Sequence, residues 1–290
     1  MAGQKENGTF ASLQEGHCLW KALEEKPLWW RNILADPELY VEVRKDNYLN
    51  VYFYGGCLAL VRWANGGIVA ETNRKYAADC RQTGTDPASG NCLEQLQSKE
   101  GLERIKRGIA QVYHKLPLQA TANARKKVCV SGEKMVQGGM ILHDRNRYID
   151  SELAYRMKGR ETMRVDLTEL RNQTLVLVEL KLITDSRLRH LDSQPEIIAQ
   201  MAKYYDFINS HRQELIGYYT SILAIKQRIG VWQGDSSIRA VSPKPELLIV
   251  DTYSQTTQGR EARTAAICKL LETGKGHFDY AIRKYPDLCR

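Results

Sequence analysis

The strongest constraint on the fold is a run of nine residues, TLVLVELKL, at positions 174–182. Its apolar and β-branched residues and its short length are typical of a buried strand. Two charged residues, Glu179 and Lys181, interrupt the run. Because residues two apart on a strand point to the same face, these two side chains should lie side by side. Charges inside a buried strand are costly unless they are paired or functional, so the fold has to provide them with partners.

A second strand is predicted immediately before this run. Residues 163–170 alternate between apolar and polar positions, with Asp166 in the middle, and Asn172-Gln173 reads as a tight turn. The turn lies midway between positions 166 and 179, so Asp166 and Glu179 should face each other across a hairpin. Two carboxylates on facing strands repel one another, and a bound cation would remove that repulsion.

Such a pair of acids beside a lysine predicts hydrolysis of a phosphodiester bond. Carboxylate oxygens suit Mg²⁺ or Mn²⁺ rather than zinc. The metal would polarise a phosphoryl oxygen and lower the pKa of a bound water. Lys181 would then orient that water or stabilise charge in the transition state.

The spacing resembles the signature of the PD-(D/E)XK nuclease superfamily. Asp166 is followed by twelve intervening residues and then by Glu179-Leu180-Lys181, although Val165 stands where the family usually has proline. The resemblance implies a restriction-endonuclease-like core, with a mixed central sheet flanked by helices. It also implies that Asp166 and Glu179 bind the metal, that the backbone carbonyl of Leu180 is a further ligand, and that Lys181 assists the attacking water.

Three more residues extend the resemblance, which covers roughly residues 145–255. Glu152, in YIDSELAYR, resembles the additional acid that many members place beside the metal. Gln200 and Tyr204 resemble the Gln-x3-Tyr helix motif of RecB-like members, and four residues apart they share one helix face. The resemblance therefore implies that Glu152 is a metal ligand and that Gln200 and Tyr204 position the substrate.

The remaining patterns predict two domains. Residues 1–90 should form a small α+β module with an antiparallel meander at residues 39–63, and residues 91–290 the nuclease-like domain. A loop at residues 82–91 marks the boundary. The second half should have the order β-β-β-α-β-α, in which residues 195–228 form two helices separated near Gly217.

The composition limits which binding partners are expected. The net charge is +8, and residues 99–147 alone hold eleven Lys/Arg against four Asp/Glu, which favours a polyanion such as DNA or RNA. The seven cysteines include no CxxC pair, so we expect reduced thiols and a cytoplasmic protein. No apolar leader or membrane-length segment is recognised, so no membrane partner is expected. A homodimer is an open possibility, because many such nucleases cut two strands.

The candidate site residues also allow other interpretations. Glu179 and Lys181 could be an ion pair on an exposed edge strand, and Asp166 could be a structural partner of Arg164 or Arg171. Glu152, Gln200 and Tyr204 could be ordinary polar residues. The leading function is a Mg²⁺-dependent deoxyribonuclease. A catalytically silent nucleic-acid-binding or assembly module, and an RNA-directed or structure-specific nuclease, are the alternatives.

Overall fold

The computed structural model describes residues 10, 12–76, 89–115, 132–156, 162–188 and 196–285. These residues form helices, a five-stranded antiparallel sheet and a six-stranded mixed sheet, which confirms the expected α/β class. No helix in these ranges is both long enough and apolar enough to cross a membrane. The chain divides into two compact units.

The first unit contains the described residues up to Asn146 and also Thr220–Ser236. Its helices are α1 (Cys18–Glu24), α2 (Leu28–Ala35), α3 (Lys99–Val112) and α4 (Glu133–His143), and its strands, in sheet order, are β1 (Leu39–Arg44), β2 (Tyr48–Phe53), β3 (Gly56–Ala64), β4 (Gly67–Asn73) and β5 (Ser89–Asn91). The expected meander is therefore present, and β4 and β5 extend it.

Turn residues set the register of this meander. Asn65 and Gly66, between β3 and β4, both have positive φ, as in the type I′ turns that match the twist of a hairpin. The boundary expected near residue 90 lies inside this unit, because Asn91 of β5 pairs with Glu71 of β4. Residues 82–88 of the expected loop lie outside the described ranges.

The second unit contains Arg147–Tyr219 and the described residues from Ser237 onwards. Its elements are β6 (Tyr148–Arg156), β7 (Thr162–Arg171), β8 (Thr174–Leu182), the helix α5 (Glu196–Arg228), whose last residues belong to the first unit, β9 (Ala240–Val241), β10 (Glu246–Asp251), α6 (Gln258–Glu272) and β11 (Asp279–Lys284). The expected order β-β-β-α-β-α is confirmed, and β9 and β11 are additional.

β8 is an interior strand of the mixed sheet. The sheet order is β11-β10-β8-β7-β6; β7 is antiparallel to β8, and β10 is parallel to it. Asn172 and Gln173 both have positive φ and connect paired Arg171 and Thr174, so the predicted two-residue turn is confirmed. The apolar composition of β8 follows from this position, because both of its faces are covered.

Helix α5 is interrupted at His211, not near Gly217 as expected. His211 has φ −124 and ψ 19, which is not helical. Its Nδ1 lies 3.1 Å from the carbonyl oxygen of Phe207, the acceptor that its own backbone N–H would use in a regular helix. Tyr155 Oη lies 3.1 Å from the other ring nitrogen and fixes the imidazole from the sheet side. A side chain that competes for a helical acceptor thus explains the irregularity.

Gly217 is a suitable site for a stabilising substitution. It is exposed, and a Cβ there would meet no heavy atom within 4 Å. We expect Gly217→Ala to raise the free energy of unfolding by roughly 0.5–1 kcal/mol, because alanine restricts the unfolded chain. Gly108→Ala in α3 is the control and should destabilise, because its Cβ would lie 1.8 Å from the Tyr76 carbonyl oxygen. Urea denaturation measures both, and a less stable Gly217→Ala would contradict a regular helix at this position.

Glu169 should make stability depend on pH. Its carboxylate, 3% exposed, lies 2.6 Å from Arg147 Nε and 2.8 Å from Arg171 Nη2. Burial acts to raise its pKa, but hydrogen bonds from both guanidinium groups outweigh burial and hold the pKa below the ordinary 4.5. A lowered folded-state pKa stabilises above the unfolded-state pKa, and this stabilisation is lost as the pH falls through the folded-state pKa.

We therefore expect the wild-type protein to lose stability below pH 4.5 more steeply than Glu169→Gln, which has no carboxylate to protonate at this position. Urea denaturation of both proteins, from about pH 6 down to about pH 3, measures the difference. Parallel curves for the two proteins would show that the arginine contacts do not stabilise the fold.

Candidate active site

Neighbouring strands of the second unit bring the predicted catalytic residues together. Leu167 of β7 pairs with Val178 of β8, so Asp166 and Glu179 occupy the next positions along the two strands. Glu179 and Lys181 are each 2% exposed. Because β8 is an interior strand, the alternative of an ion pair at an exposed edge is excluded.

The ammonium of Lys181 is surrounded by oxygen atoms. Its Nζ lies 2.6 Å from Glu179 Oε1 and 3.3 Å from Asp166 Oδ2, and it donates to the Leu180 carbonyl oxygen at 2.6 Å. Asp166 Oδ2 also accepts a hydrogen bond of 3.0 Å from the backbone N–H of Leu180. A positive charge therefore lies between the two acids, and it offsets the repulsion predicted for carboxylates on facing strands.

Two residues of α5 hold the Glu179 carboxylate. Gln200 Nε2 donates to Glu179 Oε1 at 2.7 Å, and the Tyr204 hydroxyl donates to Glu179 Oε2 at 2.9 Å. Gln200 Nε2 also donates to the Tyr204 hydroxyl at 2.9 Å, and that hydroxyl contacts the carbonyl oxygen of Arg164. The Gln-x3-Tyr pair thus contacts the site directly, so it is not an ordinary polar helix face.

Burial dominates the electrostatics of the site. It raises the pKa of the Glu179 carboxyl to about 7, with a further contribution from the charge of Asp166, while Lys181 acts in the opposite direction. Burial and the Glu179 charge also raise the pKa of Tyr204. Tyr204 therefore remains protonated at neutral pH and is available as a hydrogen-bond donor to Glu179.

Glu152 differs from the other predicted ligands. Its neighbours along β6 pair with the residues on either side of Asp166, so it lies on the adjacent strand, but its φ is +60. A left-handed backbone is rare for glutamate and interrupts the alternation of the strand. Within the described ranges, no group of three or more His, Cys, Asp or Glu residues is arranged to hold a metal. The structure therefore does not join Glu152 to Asp166 and Glu179 in a three-acid cluster.

The oxygen atoms at Lys181 still match the preferences of a hard divalent cation. Asp166, Glu179 and the Leu180 carbonyl supply only oxygen, which is the donor set that Mg²⁺ and Mn²⁺ favour. All three oxygen atoms already coordinate a cationic group, the lysine ammonium. These residues fit such a metal through two carboxylates and one carbonyl, without the predicted contribution from Glu152.

Other predicted contacts are engaged elsewhere. Arg171, an alternative partner for Asp166, binds Glu169 and Glu246. The Arg187 guanidinium, just after β8, donates two hydrogen bonds to Asp185, of 3.0 Å from Nε and 2.8 Å from Nη2.

Sequence reasoning predicted the Leu180 carbonyl but missed two other backbone groups of the site. Neither the Leu180 N–H, which binds Asp166, nor the Arg164 carbonyl, which contacts Tyr204, has a signature in the sequence. No protein-family model, no curated protein and no solved structure matches the chain. The geometry of these side chains therefore carries the functional argument alone.

Proposed function

We propose that this chain is a metal-dependent nuclease that hydrolyses phosphodiester bonds of DNA. The observation that carries the proposal is the convergence of Asp166 Oδ2, Glu179 Oε1 and the Leu180 carbonyl on one ammonium group, that of Lys181. Two acids, a lysine and a carbonyl at one point of a buried sheet are costly for a purely structural role. They are groups that can support metal-assisted hydrolysis of a phosphodiester.

The proposed fold is a restriction-endonuclease-like core. A mixed sheet whose antiparallel strands β7 and β8 carry the acids, with β10 parallel to β8, supports it. The Gln-x3-Tyr pair of α5, bonded to Glu179, supports the RecB-like branch of that core. The net charge of +8 favours a polyanionic substrate.

In the proposed reaction each residue has a defined task. Asp166, Glu179 and the Leu180 carbonyl would hold Mg²⁺ or Mn²⁺, which when bound supplies Lewis-acid chemistry and an acidified water. Gln200 and Tyr204 fix both oxygens of Glu179, so the carboxylate needs little reorganisation before reaction. The Lys181 ammonium supplies positive charge next to the acids, where negative charge on the reacting phosphate increases.

A digestion panel tests the proposal. The purified protein is incubated with linear, circular, single-stranded and branched DNA and with RNA, in Mg²⁺, in Mn²⁺ and in EDTA. We expect cleavage of DNA with either metal and none in EDTA. Cleavage restricted to RNA or to branched DNA would keep the site and change the substrate. Cleavage in EDTA, or of none of the substrates, would overturn the proposal.

One observation favours a second candidate, a silent nucleic-acid-binding or assembly module of the same fold. Within the described ranges no three-acid group is present, and the Lys181 ammonium already pairs with both Asp166 and Glu179. Calorimetric titration with Mn²⁺ separates the two candidates. A heat of Mn²⁺ binding that the wild-type protein shows and Asp166→Asn does not supports the nuclease. No heat of binding with the wild-type protein supports the silent module.

A further inference from the structure

Arg263 of α6 is a partly exposed residue with an unusual guanidinium group. Its Nε and Nη2 are buried, and neither has a hydrogen-bond partner among the described residues. A buried N–H group without a hydrogen-bond acceptor disfavours the folded state. Nearly all buried polar groups in proteins have hydrogen-bond partners. An exception of this kind implies either that a ligand supplies the missing acceptor or that the protein loses stability.

Helix α6 packs on the face of the sheet that carries the catalytic side chains. In register, Tyr280 of β11 pairs with Leu247 of β10, which pairs with Glu179, so the three side chains share a face. The Tyr280 hydroxyl donates to Glu272 Oε1 of α6 at 2.7 Å. At the end of the helix, a Cβ on Gly274 would lie 3.3 Å from Ile198 of α5, whose Gln200 and Tyr204 bind Glu179.

Arg263 lies on the side of α6 that faces the sheet. Arg263, Ile267 and Leu270 are spaced by four and three residues, which is one stripe of a helix. Ile267 and Leu270 are buried, and Gly274 approaches α5. The buried guanidinium nitrogens therefore belong to the packed side of the helix and not to its exposed side.

Arg263 also lies at the same end of the sheet as Lys181. It is the sixth residue of α6, about 8 Å from the first residue of the helix. Because α6 connects parallel β10 and β11, its first turn lies beside the carboxyl end of β10. The helix then runs back along the sheet, and a distance of about 8 Å corresponds to two to three residues of a strand. That distance reaches the level of Ile249, the residue paired with Lys181.

We propose that Arg263 binds a phosphate group of the polynucleotide substrate beside the catalytic acids, which rests on the proposed nuclease function. A guanidinium forms paired hydrogen bonds with phosphate oxygens in a fixed planar geometry. Phosphate oxygens would give the two buried nitrogens the acceptors that they lack among the described residues. Arg263 is thus a positioning residue, kept ready for substrate at the expense of stability in its absence.

The experiment compares Arg263→Met with Arg260→Met. Arg260, one turn earlier on α6, has partners already: it donates to the Gln255 carbonyl oxygen and lies 4.7 Å from the Tyr253 ring centre. Both variants remove one positive charge from the same helix, so their general electrostatic effects are matched. Affinity for a fluorescent duplex oligonucleotide is measured by anisotropy in EDTA, and stability is measured by urea denaturation without nucleic acid.

We expect Arg263→Met to bind the duplex about tenfold more weakly than the wild-type protein and to unfold at a higher urea concentration. Arg260→Met should bind within about threefold of the wild-type protein and be no more stable. Equal affinities of the two variants, or an Arg263→Met protein that is less stable than wild type or does not fold, would overturn the proposal. So would a wild-type protein that does not bind the duplex.

Cleavage assays separate this inference from the function on which it rests. A wild-type protein that cleaves DNA, with equal duplex affinities in the two variants, refutes the role of Arg263 and leaves the nuclease intact. A wild-type protein that binds but never cleaves, with weakened binding only in Arg263→Met, refutes the nuclease and leaves the phosphate contact.

Discussion

Replacing Lys181 by methionine is expected to reduce metal-dependent cleavage by about 10²–10³-fold, the usual effect of removing one group that stabilises transition-state charge. Methionine retains the apolar stem of the side chain but not the ammonium that lies between Asp166 and Glu179. Methionine offers the substrate no new contact, and the lost ammonium acts on charge in the transition state. The affinity for the substrate should therefore change far less than the cleavage rate. Single-turnover cleavage measures the rate, and anisotropy with the same oligonucleotide in EDTA measures the affinity.

Lys203→Met is the matched control for this variant. Lys203 is exposed on α5, one residue before Tyr204, and its removal lowers the net charge by the same amount. We expect it to cleave at nearly the wild-type rate. Undiminished cleavage by Lys181→Met would remove the proposed mechanism, whereas equal losses in both variants would show that the total positive charge matters rather than its position.

Glu42→Ala is expected to lower the free energy of unfolding by about 3–5 kcal/mol, the largest effect on stability that we foresee. Within the first unit, Glu42 Oε2 of β1 lies 2.6 Å from Lys226 Nζ, and the two side chains are only 2% and 3% exposed. The truncation removes the carboxylate that lies 2.6 Å from a buried ammonium, and the loss of this charged hydrogen bond accounts for most of the effect. Urea denaturation followed by tryptophan fluorescence measures it.

Two further variants test whether burial of the ion pair causes this loss of stability. Glu71→Ala breaks the pair of Glu71 with Arg62 in the same sheet, but these side chains are 31% and 43% exposed, so we expect a loss below about 1 kcal/mol. The double variant Glu42→Leu, Lys226→Met removes both charges and should recover much of the stability lost in Glu42→Ala. A double variant as unstable as Glu42→Ala would mean that packing, and not the lost contact between the carboxylate and the ammonium, sets the cost.

The central hairpin of the second unit was predictable because its determinants are local. The alternation of β7, the apolar run of β8 and the turn at Asn172-Gln173 fix the register within about twenty residues of chain. That register places Asp166 across from Glu179, as expected. The family resemblance implied that Gln200 and Tyr204 position the substrate, but their hydrogen bonds to Glu179 were not predicted.

The structural features that could not be predicted depend on contacts between residues far apart in the sequence. β11 is short and partly exposed, and only its pairing with β10 makes it a strand. The left-handed backbone of Glu152 has no sequence signal, because the residue type does not favour it. The buried nitrogens of Arg263 depend on how a weakly amphipathic helix meets the sheet. The irregularity at His211 results from side-chain contacts that periodicity does not show.

The discontinuity of the first unit has a consequence for synthesis on the ribosome. The indole N–H of Trp30 donates to the Ile229 carbonyl oxygen at 2.9 Å, and Glu42 pairs with Lys226. Both partners are translated only after β6, β7 and β8 of the second unit, because Arg147–Tyr219 separates the two parts of the first. A nascent chain that stops at Asn146 does not yet contain Lys226, which pairs with Glu42, or Ile229, which accepts from the Trp30 indole. The unit that begins first should therefore be completed late, and its early hydrophobic surface is where we would expect a chaperone to act during elongation.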